Sequence, residues 1–137
     1  MRIFLDTNVL VSAVATRGLC SDVLREILAR HQLIVSDSLI KELKKALRKK
    51  LAVPENLVSE FVQYIKKESY FSTSSALSDI DIKDEDDLPI LSCALNGRAD
   101  LFITGDKELL GLRRIKRMEI VSPRAFWEKL QGNRNNT

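Results

Sequence analysis

The sequence predicts an α/β fold in which a parallel sheet is covered by helices on both faces, and three observations carry that prediction. Short runs of strand type (Ile3-Phe4-Leu5, Leu33-Ile34-Val35, Leu101-Phe102-Ile103 and Glu119-Ile120-Val121) alternate with apolar stripes of helical period, the pattern of successive βαβ units. The first three runs are continuously apolar, as strands buried on both faces require. Two runs are followed closely by an acid, Asp6 immediately after Leu5 and Asp106 after Thr104-Gly105, at the strand end where open α/β sheets place ligands.

Residues 2–5 read as the first buried strand and residues 8–15 as a short helix or turn leading away from it. Thr16-Arg17-Gly18 breaks the pattern. Cys20, Val23, Leu24, Ile27 and Leu28 then recur at i, i+3, i+4, i+7 and i+8, one face of an amphipathic helix. After the strand 33–35, Ser36-Asp37-Ser38 supplies cap chemistry for a helix whose apolar face is Leu39, Ile40, Leu43, Ala46 and Leu47. Pro54 opens another helix, with Leu57, Val58, Phe61, Val62 and Ile65 on its inner side. Tyr70-Phe71-Ser72 reads as an edge strand and residues 73–83 as a loop. Asp84 to Asp86 cap a helix running through Leu88, Leu91, Ala94 and Leu95, where Pro89 is tolerated because it falls in the first turn. Ser122-Pro123 gives the N-cap and first position of a terminal helix. With no internal repeat or linker, residues 1–131 form one domain and 132–137 a polar, frayed tail.

The chain of 137 residues is long enough to bury a substantial core without disulfides, and 45% hydrophobic with 30% charged residues is a globular composition. Cys20 and Cys93 fall on apolar helical faces and read as reduced core residues. Asp6 and Asn8 interrupt the first apolar run too early for a signal peptide, and no run is long enough to span a bilayer, so a cytoplasmic protein is expected. The net charge of +3 conceals strong segregation. Lys41, Lys44, Lys45, Arg48, Lys49 and Lys50 crowd one segment and Arg113, Arg114, Lys116 and Arg117 another, against an acidic run from Asp79 to Asp87. Lys41, Lys45, Arg48 and Lys49 are candidate nucleic-acid contacts, although a basic helix side is more often simply solvated.

Four acids carry the chemistry. If the strand 101–103 is the first beyond the chain reversal, it neighbours the first strand, and Asp6 and Asp106 face each other across one crevice. The other reading of each is an N-cap of the following helix, and two such acids at potentially adjacent strand ends weigh against it. Asp84, Glu85 and Asp86 are accounted for by the helix dipole. Asp87 lies three and four residues before Ile90 and Leu91 and seven before Ala94, on the inward face, where an ionised carboxylate needs a partner. Glu42 sits at the edge of a buried stripe in an otherwise basic helix, and a salt bridge to Lys45 or Lys49 is its alternative role. Converging carboxylates would raise one another's pKa values unless a cation neutralises them. Hard oxygen donors without Cys or His select Mg²⁺ or Mn²⁺ over zinc. His31, the sole histidine, sits at a helix end, so histidine-dependent triads have little support. An all-carboxylate site of this kind suits phosphoryl transfer or phosphodiester hydrolysis. With these four set aside, fifteen of the 19 acids remain against 22 Lys and Arg, a balance that suits a nucleic-acid substrate.

Four segments in register resemble the motifs of PIN-domain nucleases: Leu5-Asp6-Thr7-Asn8-Val9-Leu10, Val35 to Leu43, Asp86 to Leu95, and Ile103 to Leu110. The resemblance spans Met1 to about Leu130. It implies a Rossmann-like three-layer α/β/α sandwich with a central parallel sheet (a PIN-like fold), Mg²⁺- or Mn²⁺-dependent ribonuclease activity and frequent homodimers or higher oligomers. In prokaryotes it also implies the toxin half of a VapBC-type pair with an antitoxin partner. The family's catalytic acids fall on Asp6, Glu42, Asp87 and Asp106, with Asp6, Asp87 and Asp106 as metal ligands and Asn8 and Thr104 as supporting polar positions. The seven-residue step from Asp87 to Ala94 matches the family's pattern.

Other readings are weaker. A haloacid-dehalogenase-type phosphatase needs an Asp two residues after the first, where this chain has Asn8. A phosphoacceptor receiver domain needs an acidic pair after its first strand, and Asp6 has no adjacent acid. A PIN-fold protein that processes or binds RNA without a toxin role remains the rival at the level of biology.

Overall fold

The computed structural model describes residues 1–73 and 88–135, with side chains described as far as Gly132. The expected loop beyond Thr73, the acidic cap at Asp84–Asp86 and the candidate ligand Asp87 lie outside the described residues. In chain order the elements are β1 (Arg2–Leu5), α1 (Thr7–Ala15), α2 (Leu19–Arg30), β2 (Gln32–Val35), α3 (Asp37–Lys45), α4 (Glu55–Glu68), β3 (Ser69–Phe71), α5 (Leu88–Asn96), β4 (Leu101–Ile103), α6 (Lys107–Leu112), β5 (Arg114–Ile115), β6 (Met118–Val121) and α7 (Pro123–Asn135). A π-helical turn, Ala46–Lys50, extends α3.

Among the described residues the strands form one six-stranded sheet in the order β3-β2-β1-β4-β6-β5, flanked by helices as a three-layer sandwich. The pairings β3–β2, β2–β1, β1–β4 and β4–β6 are parallel, as the continuously apolar strands predict. β5 departs from that expectation. It pairs antiparallel with β6 through Arg114↔Glu119 and Ile115↔Met118. Two residues, one cationic and one apolar, carry no strand periodicity, so this strand depends on the free edge that β6 offers. β3 lies at the other edge, as expected, with Tyr70 and Phe71 exposed.

The core is the inward residues of the three central strands, Ile3, Phe4, Leu5, Leu33, Ile34, Val35, Leu101, Phe102 and Ile103, all almost fully buried. The predicted faces of α2 and α3 are buried through Val23, Leu24 and Ile27 and through Leu39, Ile40 and Leu43. On α4 the buried stripe is Val58, Val62 and Ile65. Leu57, expected on the inner side, is 49% exposed, because one residue's rotation of about 100° carries it off a stripe spaced i, i+4, i+7. Both expected hydroxyl caps form: the Ser36 hydroxyl accepts from the Leu39 amide (3.2 Å) and the Ser122 hydroxyl from the Ala125 amide (3.0 Å). α7 continues through Gly132 to Asn135, into the segment expected to be a polar tail. Among the described residues no helix is long and apolar enough to cross a membrane.

Gly97 and Arg98, which turn the chain from α5 into β4, divide the duties glycine usually combines at a helix end. Gly97 has no positive φ; a Cβ there would stand 2.7 Å from Ile34 Cγ2 and 3.2 Å from Ser72 Cβ. The left-handed residue is instead Arg98, at φ 58°, which is exposed. Gly97 is required by close packing, and Arg98 holds a conformation that glycine would take without strain. Gly97→Ala should therefore lower stability by about 1–3 kcal/mol through overpacking. Arg98→Gly should raise it by about 0.5–1 kcal/mol by relieving the left-handed backbone. Chemical denaturation of both variants checks the pair, and equal effects of the two would refute this division.

Candidate active site

Backbone pairing first sets the acids in place. The ladder between β1 and β4 runs one residue beyond Leu5, with the Asp6 amide donating to the Ile103 carbonyl at 2.9 Å. Asp6 is the N-cap of α1, and its Oδ1 accepts from the Thr7 amide at 2.8 Å. Its Oδ2 accepts from the hydroxyl of fully buried Thr104 at 2.7 Å. The same Thr104 oxygen accepts from the Asp106 amide at 3.0 Å. One hydroxyl thus ties the two acid-bearing strand ends together. Asp106, exposed, N-caps α6 through the Glu108 amide at 2.9 Å. Capping and neighbourhood are therefore not alternatives for these two acids: each caps a helix, and the two lie side by side.

The third acid joins through Thr7, whose reach to Glu42 no local sequence pattern signals. The hydroxyl of buried Thr7 donates to Glu42 Oε2 at 2.8 Å, connecting α1 to α3. Glu42 is exposed on α3, and its contact is with Thr7 rather than with Lys45 or Lys49. A threonine after a strand-end acid reads locally as helix-start chemistry; its reach to Glu42 depends on how α1 packs against α3. Asn8, one position further on, is exposed.

Electrostatics follow from this placement. Burial pushes the Asp6 carboxyl above the ordinary carboxylate range. The hydrogen bonds from Thr104 and Thr7 oppose that shift, while the negative charges of Asp106 and Glu42 add to it. Among the described residues, ionised Asp6 is thus held in place by donors and is short of positive charge. Among the described residues no three such side chains stand close enough together to hold a metal ion, so Asp6, Glu42 and Asp106 do not form a closed cage by themselves.

Of the basic candidates, Lys41, Lys45 and Lys49 are exposed. Arg48 is engaged across the π-helical turn, its Nε donating to Glu55 Oε2 at 2.7 Å. His31 stands apart at the end of α2, with Nδ1 3.2 Å from the Met1 amino group and its ring edge-on to Phe126.

A strand-end acid pair where β1 and β4 meet, on a sheet of this order, places the candidate site at the carboxyl edge of a Rossmann-like architecture, and comparison with known proteins gives its family. The PIN domain family model matches residues 2–108. The chain belongs to the PIN-domain family, and with it to a class of nucleases. A chain in the crystal structure of VapBC2 from Rickettsia felis bound to a DNA fragment from their promoter is similar in fold, with a TM-score of 0.60 and 16% sequence identity over 89% of this chain and 98% of that one. No curated protein sequence matches.

The raised Asp6 pKa has a stability consequence. A carboxyl raised above its unfolded value of about 3.8 stabilises the fold below that pH and loses this contribution as pH rises through the folded value. In chelator-treated protein at pH 7, Asp6→Asn should therefore melt higher than the native chain, and the gap should close as the pH falls below the unfolded value. A variant that melts lower at every pH would show that the hydrogen bonds outweigh the charge cost.

Proposed function

We propose that this PIN-domain protein is a divalent-metal-dependent ribonuclease. In this reading Asp6, Glu42, Asp87 and Asp106 are the catalytic acids, Asp6, Asp87 and Asp106 hold Mg²⁺ or Mn²⁺, and Asn8 and Thr104 support them. The observation that carries the reading is the Thr104 hydroxyl bound to both strand ends, which keeps two carboxylates of like charge together at the carboxyl edge of the sheet. The donor set fits a hard cation: it is all oxygen, Asp6 is short of positive charge, and its two oxygens are held by fixed donors.

A bound divalent cation would activate water and offset charge on the scissile phosphate. The chain's own contribution is positional. Thr104 and the Thr7 amide fix the plane of the Asp6 carboxylate, while Thr7 tethers Glu42, which takes a proton from the attacking water. The water oxygen bonds to phosphorus, the bond from phosphorus to the leaving oxygen breaks, solvent water supplies the proton to that oxygen, and Glu42 returns its proton to solvent.

The fold likeness to a VapBC2 chain supports a biological role as the toxin of a prokaryotic toxin–antitoxin pair, with an antitoxin protein and a second copy of the chain as partners. Exposed Lys41, Lys45 and Lys49 supply positive charge for the RNA backbone.

Purified protein should cleave RNA with Mn²⁺ and stop on addition of EDTA. Asp6→Asn and Asp87→Asn should abolish cleavage, while Thr104→Val should cost about 10–100-fold in metal affinity or activity through loss of ligand orientation. Cleavage that survives both acid substitutions would overturn the site assignment. Expression should arrest growth, and co-expression of a small DNA-binding protein encoded beside it should relieve the arrest. Cleavage without arrest would leave a ribonuclease with a different role.

A further inference from the structure

We propose that the cavity at the carboxyl ends of β2 and β3 is a nucleoside-binding subsite for the RNA residue beside the scissile phosphate, with Lys41 on a phosphate and Asp37 accepting from the nucleoside. The inference rests on the ribonuclease reading and deepens it. The cavity measures about 320 Å³ and is lined by Ser36, Asp37, Ser38, Lys41, Ser72 and Thr73, with Cys93 at its wall. That is within the range of small-ligand sites.

Position argues first. β2 is the immediate neighbour of β1, so the ends of β2 and β3 continue the sheet edge that carries Asp6 and Asp106. The helix lining the cavity is α3, the helix that carries Glu42, and Glu42 directly follows Lys41. A strand of RNA with one phosphate at the acids would set its next residue over this cavity.

Chemistry then narrows the ligand. The Ser36 oxygen is occupied by the Leu39 amide and the Ser38 hydroxyl, both at 3.2 Å, and the Ser72 hydroxyl donates to the Cys93 carbonyl at 2.6 Å. Those two hydroxyls serve the fold. Among the described residues, Lys41, Asp37, Thr73 and exposed Ser38 remain as side chains that can meet a ligand. One ammonium beside one carboxylate is a poor cradle for a free anion, because the carboxylate repels it. The pair suits a ligand with a phosphate at one end and hydrogen-bond donors at the other. A nucleotide is such a ligand, its donors being the ribose 2′-hydroxyl and the exocyclic amino groups of the base.

The test uses the full chain. Randomised single-stranded RNA is cleaved with Mn²⁺ and the cut ends are sequenced, while binding of a short RNA oligonucleotide is followed by fluorescence anisotropy in EDTA across a salt series. Lys41→Gln should raise KM by about tenfold with kcat held. It should also lower the slope of log affinity against log salt by about one, and Lys41→Arg should restore that slope. Asp37→Asn should relax or switch the nucleotide preference beside the cut by about tenfold, or abolish preference for ribose over deoxyribose there. Melting curves establish that each variant is folded. Folded Lys41→Gln and Asp37→Asn proteins with native KM, salt slope and preference would overturn the subsite. Oligonucleotide binding that depends on Lys41 in a protein that cuts no RNA would keep the subsite and remove the ribonuclease reading. Absence of both cleavage and binding would remove both.

Discussion

Parallel pairing of β1 with β4 joins two segments far apart in the chain, in a register that sets Ile3 beside Leu101, Phe4 beside Phe102 and Leu5 beside Ile103. The rings of Phe4 and Phe102 stack at 5.3 Å with an interplanar angle of 10°. Beyond the ladder's end, the Asp6 carboxylate and the Thr104 hydroxyl meet although 98 residues separate them. A shift of one residue in this register would turn each strand's side chains to the opposite face and part the two acids. Closing so long a loop costs conformational entropy, which the burial of fully enclosed strands on both faces offsets. The Asp6–Thr104 contact is consequently anchored to the end of the central ladder.

Within that frame the acids act on stability in two opposite ways. Asp6 and Asp106 cap α1 and α6 and so satisfy orphan amides, a stabilising role. Their proximity to each other and to Glu42, together with the burial of Asp6, works against stability by raising the Asp6 pKa. Active sites commonly concentrate local cost of this sort because function needs charges that folding alone would disperse. Thr104 and Thr7 are the device that makes the arrangement tolerable, since each places a hydroxyl proton against a carboxylate oxygen.

The periphery follows looser rules. The run of basic residues after Leu43 passes through a π-helical turn, where Arg48 pairs with Glu55 at the surface. Both partners are exposed, so the pair shapes the surface more than it stabilises the fold. A fold shared with a VapBC2 chain at 16% identity shows that the architecture tolerates wide divergence in sequence.

The sequence by itself determined what depends on neighbours in the chain. Apolar runs named the central strands, helical periods named the inner faces of α2 and α3, and Ser36 and Ser122 marked helix starts, because capping and periodicity act over a few residues. It also located Asp6 and Asp106 at strand ends. Contacts across the chain were decided only by tertiary structure. The edge strand β5 has no periodicity of its own and forms because β6 presents an unpaired side. Leu57 faces solvent because the sheet selects one narrow stripe of α4. Gly97 is fixed by Ile34 and Ser72, residues that no local pattern connects to it. Thr7 reaches Glu42 only because α1 and α3 pack side by side. Local free energies choose the elements, but which element ends meet is set by strand order and packing, and the candidate site is made of such meetings.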